Sequence, residues 1–130
     1  MDSIDNLFNK MQHTGQELLE PKGIQFIFRY EEKLEHLTLD MDTRKNFYLI
    51  FKEAINNAAK YSGADTIQVN IEKSDGKTKM TVKDNGKGFD PELHKHGNGL
   101  GNMQQRAAAI KGVLQIESKP GDGSIIRLKF

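Results

Sequence analysis

The sequence of 130 residues contains no cysteine, which excludes disulfide bonds and metal sites built from thiolates. It has no apolar run that approaches the roughly 20 residues needed to cross a bilayer. Its amino terminus is polar and acidic, so a secretory signal peptide is not predicted. These absences predict a domain that does not insert into a membrane and that is compatible with a reducing compartment.

An excess of charge of one sign is also missing. The 19 basic and 18 acidic residues are interspersed and give a formal net charge of +1. Broad electrostatic binding to nucleic acid or to anionic lipid is therefore not predicted. Hydrophobic residues make up 36% of the chain and charged residues 28%, a balance typical of one globular domain over residues 1–130.

Hydrophobic periodicity divides the chain into helices and strands. Helices are predicted over residues 5–20, 43–61 and 99–111. Strands are predicted over residues 24–30, 66–72, 77–83, 113–118 and 124–129. We interpret residues 37–39 as a short strand that leads to a helix cap at Asp40 or Asp42. Asp75 and Gly76 predict a hairpin turn, and Gly112 is predicted as the C-terminal cap of the third helix.

This order of elements, rich in hairpins, argues against a doubly wound parallel sheet. It predicts an α/β (α+β) fold, a two-layer sandwich with a mixed, mostly antiparallel sheet and its helices on one face.

Three short motifs follow one another within about fifty residues. The first is EAINNAAKY at residues 53–61, on the predicted second helix. The second is DNGKGF at residues 84–89, and the third is GNGLGN at residues 97–102. Each motif is weak alone because glycine-rich turns are common. Their order and spacing together indicate a nucleotide site.

The three motifs resemble the N box and the two glycine boxes of the GHKL, or Bergerat, ATP-binding fold. Sensor histidine kinases, gyrase-type topoisomerases, mismatch-repair ATPases, heat-shock chaperones and anti-sigma-factor kinases share that fold. A fourth match is GDGS at residues 121–124, where these proteins usually carry Gly-x-Gly-Thr. The run GLGNMQQRA at residues 99–107 is most similar to the catalytic domains of nitrate/nitrite-type sensor kinases. The resemblance covers residues 15–130.

Within the first motif, Glu53, Asn57 and Lys60 share one stripe of the helix at the edge of its apolar face. The sequence alone also allows a solvated helix flank. The resemblance implies that Asn57 ligates Mg²⁺ and that Glu53 occupies the family's acidic position. Lys60 can reach a phosphate oxygen as a point charge, which makes the three residues a candidate catalytic stripe. Asn56 is the alternative amide. Two roles stay open for Glu53, which either orients metal-bound water or accepts a proton from the attacking group.

Asp84 ends a predicted strand just before Gly86 and Gly88. A plain Asp-Asn-Gly turn is one interpretation. In the other, a buried carboxylate accepts a hydrogen bond from the exocyclic amine of adenine, and the glycines let the backbone approach the base. Guanine would present a carbonyl oxygen at that place, so a preference for ATP over GTP is predicted.

Gly97, Gly99, Leu100 and Gly101 open the third predicted helix, where free N–H groups attract phosphate. The hydroxyl of Ser124 replaces the family's usual threonine and is expected to bond the purine edge or a water beside it.

The segment 89–96 lies between two glycines and is predicted to form a lid over the nucleotide, with Lys95 or His96 near the phosphates. A solvated loop is the alternative. His13 and His36 lack the neighbours of a phospho-acceptor histidine and are predicted at the surface.

The resemblance implies the ATP-binding catalytic domain of a two-component sensor histidine kinase, a fragment of a longer enzyme with ATP and Mg²⁺ as its ligands. Its implied partners are the histidine-bearing dimerisation domain of the parent kinase and a downstream response regulator. The domain is expected in the cytoplasm, and the parent kinase is often membrane-anchored. The alternatives are an anti-sigma-factor serine kinase and a non-catalytic nucleotide-binding module.

Overall fold

A computed structural model describes residues 4–61, 63–88 and 100–130. The described chain forms three α-helices and five β-strands, with two short 3₁₀ turns at Glu20–Lys22 and Glu32–His36. The helices are α1 (Ile4–Leu19), α2 (Met41–Tyr61) and α3 (Leu100–Ala109). The strands are β1 (Gln25–Tyr30), β2 (Thr66–Ser74), β3 (Lys77–Asp84), β4 (Val113–Ser118) and β5 (Ser124–Lys129).

The strands form one sheet in the order β1-β2-β3-β5-β4. Strand β1 pairs in parallel with β2, and the other three pairs are antiparallel. The predicted mixed, mostly antiparallel sheet is confirmed, and so is the hairpin turn, where Asp75 and Gly76 both have positive φ.

Among the described residues, helices cover one face of the sheet and leave the other open. On the covered face, Val69 pairs with Val82, which pairs with Ile126, and all three are buried. The opposite side of the same strands carries polar residues such as Asn70 and Arg127. Because α1, α2 and α3 pack side by side over the covered face, the two-layer sandwich with helices on one face is confirmed. Within the described ranges, no helix is long and apolar enough to cross a membrane.

The predicted strand over residues 37–39 is wrong. The preceding segment closes into the 3₁₀ turn Glu32–His36, which buries Leu34. The N–H of Leu37 then bonds the carbonyl of Leu34 at 2.9 Å, so it is not available to a sheet partner.

The end of α3 differs in one detail from the predicted glycine cap. Lys111, rather than Gly112, has the positive φ, 56°, and the N–H of Gly112 bonds the carbonyl of Ala107 at 2.8 Å. This is a Schellman ending with lysine at the left-handed position. Glycine is favoured at the next position, Gly112, because space is limited there: an added Cβ would lie 3.1 Å from the carbonyl oxygen of Lys129.

Helix α2 is capped by Asp40, one of the two predicted residues. Its Oδ1 accepts a hydrogen bond from the N–H of Thr43 at 2.8 Å. That bond is the main reason that the pKa of Asp40 is lowered from its ordinary value. The cap fixes the start of the helix that carries the first motif.

We expect Asp40→Ala to lower the melting temperature at pH 7 and the difference to vanish in acid. A carboxyl with a lowered folded-state pKa stabilises the fold above its unfolded pKa of about 3.9, and loses this as pH falls through the folded value. Thermal melts of both proteins from pH 7 to pH 2.5 measure the effect. A difference that is constant with pH would show that the charge of Asp40 contributes nothing.

Candidate nucleotide site

The first two motifs meet at one end of the sheet. Helix α2 ends at Tyr61, and β2 begins only five residues later at Thr66. Ile67 of β2 pairs with Asp84, the last residue of β3, so the C-terminal end of α2 is close to the turn that follows β3. The short connection, in which the N–H of Asp65 bonds the side chain of Asn85, therefore places the C-terminal end of α2 near the Asp84 turn.

Asp84 is buried, with 4% of its surface exposed. Its Oδ1 accepts a hydrogen bond from the N–H of Gly86 at 2.9 Å, and its Oδ2 accepts one from the hydroxyl of Ser124. Ser124 is directly opposite Asp84 in the β3–β5 ladder and is itself buried. Each carboxylate oxygen has two lone pairs, so both can still accept a hydrogen bond from a ligand.

Two glycine turns interlock beside this carboxylate. Gly88 has a φ of 67°, and a Cβ there would lie 2.1 Å from the carbonyl oxygen of Lys119. Gly123 has a φ of 70°, and its Cβ would lie 2.4 Å from the carbonyl oxygen of Asp84. The N–H of Gly121 bonds the carbonyl of Lys87. Glycine is therefore the only residue that fits at the positions of Gly88 and Gly123. The contact between the two turns holds Ser124 against Asp84.

Two further side chains hold these turns in place. The Oδ1 of Asn85 accepts hydrogen bonds from the N–H groups of Asp65 and Thr66, at 2.9 and 3.0 Å. The hydroxyl of Ser118 donates to the carbonyl of Gly123 at 3.1 Å. Sequence reasoning did not find either role. Asn85 lies inside the second motif, so the motif could have indicated its role, whereas Ser118 lies in no motif.

The polar stripe of α2 lies partly in a groove between α2 and α3. The groove has a volume of about 200 Å³. It is lined by Leu49, Lys52, Glu53, Asn56, Asn102, Met103 and Arg106. Glu53 is thus accessible from the groove, together with the amide of Asn56. Asn57 is half-buried and Lys60 exposed, and neither lines the groove.

The third motif is described only from its middle onwards. Leu100 is the first residue of α3 and is buried, and Gly101 is exposed. Gly97, Gly99 and the predicted lid over residues 89–96 lie outside the described residues. The phosphate-binding prediction for this segment therefore stays a prediction.

The side-chain oxygens on α2 and at Asp84 fit a nucleotide whose phosphates bind Mg²⁺. Among the described residues, no group of three or more His, Cys, Asp and Glu side chains is placed to hold a metal ion by itself. Mg²⁺ commonly binds through substrate phosphates and one or two protein oxygens. An asparagine amide on α2 can supply such an oxygen, and the carboxylate of Asp84 offers an acceptor for an amine.

His13 and His36 are both exposed, as predicted. His13 Nε2 lies 3.0 Å from a carboxylate oxygen of Glu17 on the same helix.

Several solved histidine kinase structures share this fold. A histidine kinase domain from Erythrobacter litoralis matches with a TM-score of 0.80 at 17% identity, over 95% of this chain and 60% of that one. The catalytic domain of the histidine kinase ThkA matches with a TM-score of 0.78 at 19% identity, over 100% of this chain and 95% of that one. At these identities the likeness shows the fold alone.

Similar proteins by sequence include two bacterial kinases. The sensor histidine kinase YdfH of Bacillus subtilis is 41% identical over 97 residues, which are 72% of this chain and 24% of YdfH. The kinase/phosphatase DegS of Brevibacillus brevis is 40% identical over 80 residues, which are 61% of this chain and 21% of DegS. The chain thus spans about a quarter of the length of these relatives.

The family model described as histidine kinase-, DNA gyrase B-, and HSP90-like ATPase matches residues 42–130. The match contains all of α2 except its first residue, and also the Asp84 turn and β5, which begins at Ser124. This chain belongs to the histidine kinase-, DNA gyrase B- and HSP90-like ATPase family, as its motifs predicted.

Proposed function

We propose that this chain is the ATP-binding catalytic domain of a sensor histidine kinase and donates the γ-phosphoryl group of ATP to a histidine on a separate dimerisation domain. The observation that carries the proposal is the buried Asp84 carboxylate, fixed by Gly86 and Ser124 between two interlocked glycine turns. This arrangement is suited to accept the exocyclic amine of adenine. The similarity to YdfH and DegS supports the kinase assignment.

The phosphate end of the site is assigned to α2 and α3. We infer that Asn57 contributes an oxygen to Mg²⁺ and that Lys60 and the N–H groups at the start of α3 bind phosphate. When bound, Mg²⁺ neutralises phosphate charge. Glu53 lines the α2–α3 groove, where it can either orient water or accept the proton of the attacking histidine. The residues on the chain contribute positioning and charge rather than a covalent intermediate.

In this proposal the chain acts as one domain of a longer kinase, because it spans about a quarter of its relatives. The acceptor histidine belongs to the parent's dimerisation domain, and a response regulator receives the phosphoryl group next. The reaction takes place in the cytoplasm. Resemblance of the 99–107 run to nitrate/nitrite-type kinases supports this subgroup for the parent.

We expect Asn57→Ala to abolish phosphoryl transfer to the parent's dimerisation domain while the fold and the binding of adenosine are retained. Adenosine carries no phosphates, so losing a metal ligand should not affect it. Asn56→Ala is the matched variant, since it removes the neighbouring amide from the same helix. Transfer that survives Asn57→Ala and is lost in Asn56→Ala would move the metal site to Asn56.

Incubation with γ-labelled ATP should leave the isolated chain unlabelled, because no described histidine has the context of an acceptor. Addition of the parent's dimerisation domain should give label on that domain that is labile in acid and stable in base, as expected for a phosphorus–nitrogen bond. Transfer between untethered domains should increase with concentration. Acid-stable label would indicate a serine kinase, and strong self-labelling of His13 or His36 would contradict the proposal.

A further inference from the structure

The open face of the sheet carries an excess of positive charge. Strand alternation assigns eight charged side chains to it, of which six are basic and two acidic. The basic residues are Arg29, Lys77, Lys79, Lys83, Arg127 and Lys129, and the acidic residues are Glu72 and Glu117. The whole chain has a net charge of only +1, so the excess on this face is balanced elsewhere.

The positive charge surrounds a shallow basin of about 300 Å³, lined by Lys79, Val113, Gln115, Arg127 and Lys129. Lys79 and Lys129 are direct cross-strand neighbours, an arrangement that is unfavourable for like charges. Each lysine forms one long ion pair, at 3.8 Å from Lys79 to Glu72 and 3.7 Å from Lys129 to Asp75, and Arg127 pairs with Glu117 at 2.9 Å. Ion pairs at such an accessible surface are weak, so these cations can exchange their partners for the carboxylates of a ligand. Val113 adds an apolar surface that is 59% exposed. The basin therefore suits a ligand that combines negative charge with an apolar group.

A segment of the same chain has that chemistry. Residues 31–42, between β1 and the first turn of α2, contain five carboxylates and one lysine. Near its end Met41 is 85% exposed, the most exposed of the large hydrophobic residues described, and stands between Asp40 and Asp42. Exposed Met41 and exposed Val113 thus lie in regions of opposite charge.

We propose that the basin of one copy of this chain binds the acidic segment 31–42 of a second copy, with Met41 against Val113 and the carboxylate of Asp42 beside Lys129. The apolar contact contributes burial, and the charges contribute orientation and specificity. Exposed ion pairs are individually weak and are screened by salt, so the association should be weak and salt-dependent.

This surface is separate from the nucleotide site. Asp84 and Ser124 lie on the covered face of the sheet, whereas Lys79, Arg127 and Lys129 lie on the open face. Association between copies therefore neither requires nor blocks the proposed chemistry. Its test is independent of nucleotide binding.

Sedimentation equilibrium of the 130-residue chain from 10 to 500 µM tests the proposal. We expect the average mass to rise with concentration in 20 mM NaCl and to return to that of the monomer in 500 mM NaCl. Lys129→Glu and Asp42→Lys should each weaken the association by about fivefold. An equimolar mixture of the two variants should restore it, because the reversed charges then face each other. Met41→Ser should weaken it without changing the charge.

Lys22→Glu is the matched control for charge reversal, because Lys22 is exposed and lies outside both the face and the segment. Circular dichroism melts establish that every variant is folded. A monomer at all concentrations in low salt would overturn the proposal. An association that Lys22→Glu weakens as much as Lys129→Glu does would also overturn it. So would a mixture of Lys129→Glu and Asp42→Lys that fails to restore the association. If the basin instead binds a different, acidic protein, this chain alone will stay monomeric at all concentrations.

Discussion

Replacing Gly88 with alanine is expected to destabilise the protein by about 2–4 kcal/mol and to remove nucleotide binding. The residue has a φ of 67°, and the new Cβ would lie 2.1 Å from the carbonyl oxygen of Lys119. Backbone cannot yield as a flexible side chain does, so the two interlocked turns must separate. Their separation would also displace Ser124 from Asp84. Urea unfolding measures the loss of stability, and calorimetry measures the loss of binding.

Gly23→Ala is the matched control. Gly23 has nearly the same φ, 72°, but no atom of the described residues lies within 4 Å of its added Cβ. It should therefore show only the cost of a left-handed alanine, about 1 kcal/mol, and should keep nucleotide binding. Equal losses in the two variants would mean that the contact between the turns is unimportant.

Asp84→Ala is expected to have the second large effect. The N–H of Gly86 and the hydroxyl of Ser124 would both lose their acceptor inside the fold. Each unsatisfied buried group costs about 1–3 kcal/mol, so urea unfolding should show a loss in that range or above it. Affinity for ATP should fall by about tenfold or more, since a hydrogen bond to a charged group contributes about 1.5–3 kcal/mol.

Two variants serve as comparisons for Asp84→Ala. Asp84→Asn keeps a carbonyl oxygen at this position, so it should lose less stability and less affinity than Asp84→Ala. Asp122→Ala removes an exposed carboxylate from the neighbouring turn and should change neither quantity. An Asp84→Ala protein that binds ATP as well as the wild type would place the adenine elsewhere.

Local patterns were enough to predict most of the fold. Strands β3 and β5 each follow a turn signal, the Asp75-Gly76 turn after β2 and the glycine turn after β4, so their boundaries were predicted within one residue. The strand over residues 37–39 was predicted wrongly because Leu37 and Leu39 alternate with a polar residue as in a strand. The competing 3₁₀ turn depends on burial of Leu34, a tertiary contact that is not visible locally.

The site was predictable where one residue carries the chemistry and less so where two segments meet. Asp84 and Ser124 were both identified, but their mutual hydrogen bond depends on the β3–β5 register. The fit of Gly88 against Lys119 likewise requires two turns that are 31 residues apart in sequence. Asn56 and Asn57 lie about 100° apart around α2. Which of the two would face a bound Mg²⁺ depends on how the helix packs beside the turn after β3, and the sequence does not show that packing.

Titration calorimetry of the wild-type chain with ATP and with GTP, each in the presence of Mg²⁺, tests the central claim most directly. If the carboxylate of Asp84 accepts the exocyclic amine of adenine, ATP should bind at least about tenfold more tightly than GTP, the ratio given by one charged hydrogen bond. GTP would place a carbonyl oxygen against that carboxylate. Equal affinity for the two nucleotides, or no binding of ATP, would contradict the assignment of this pocket.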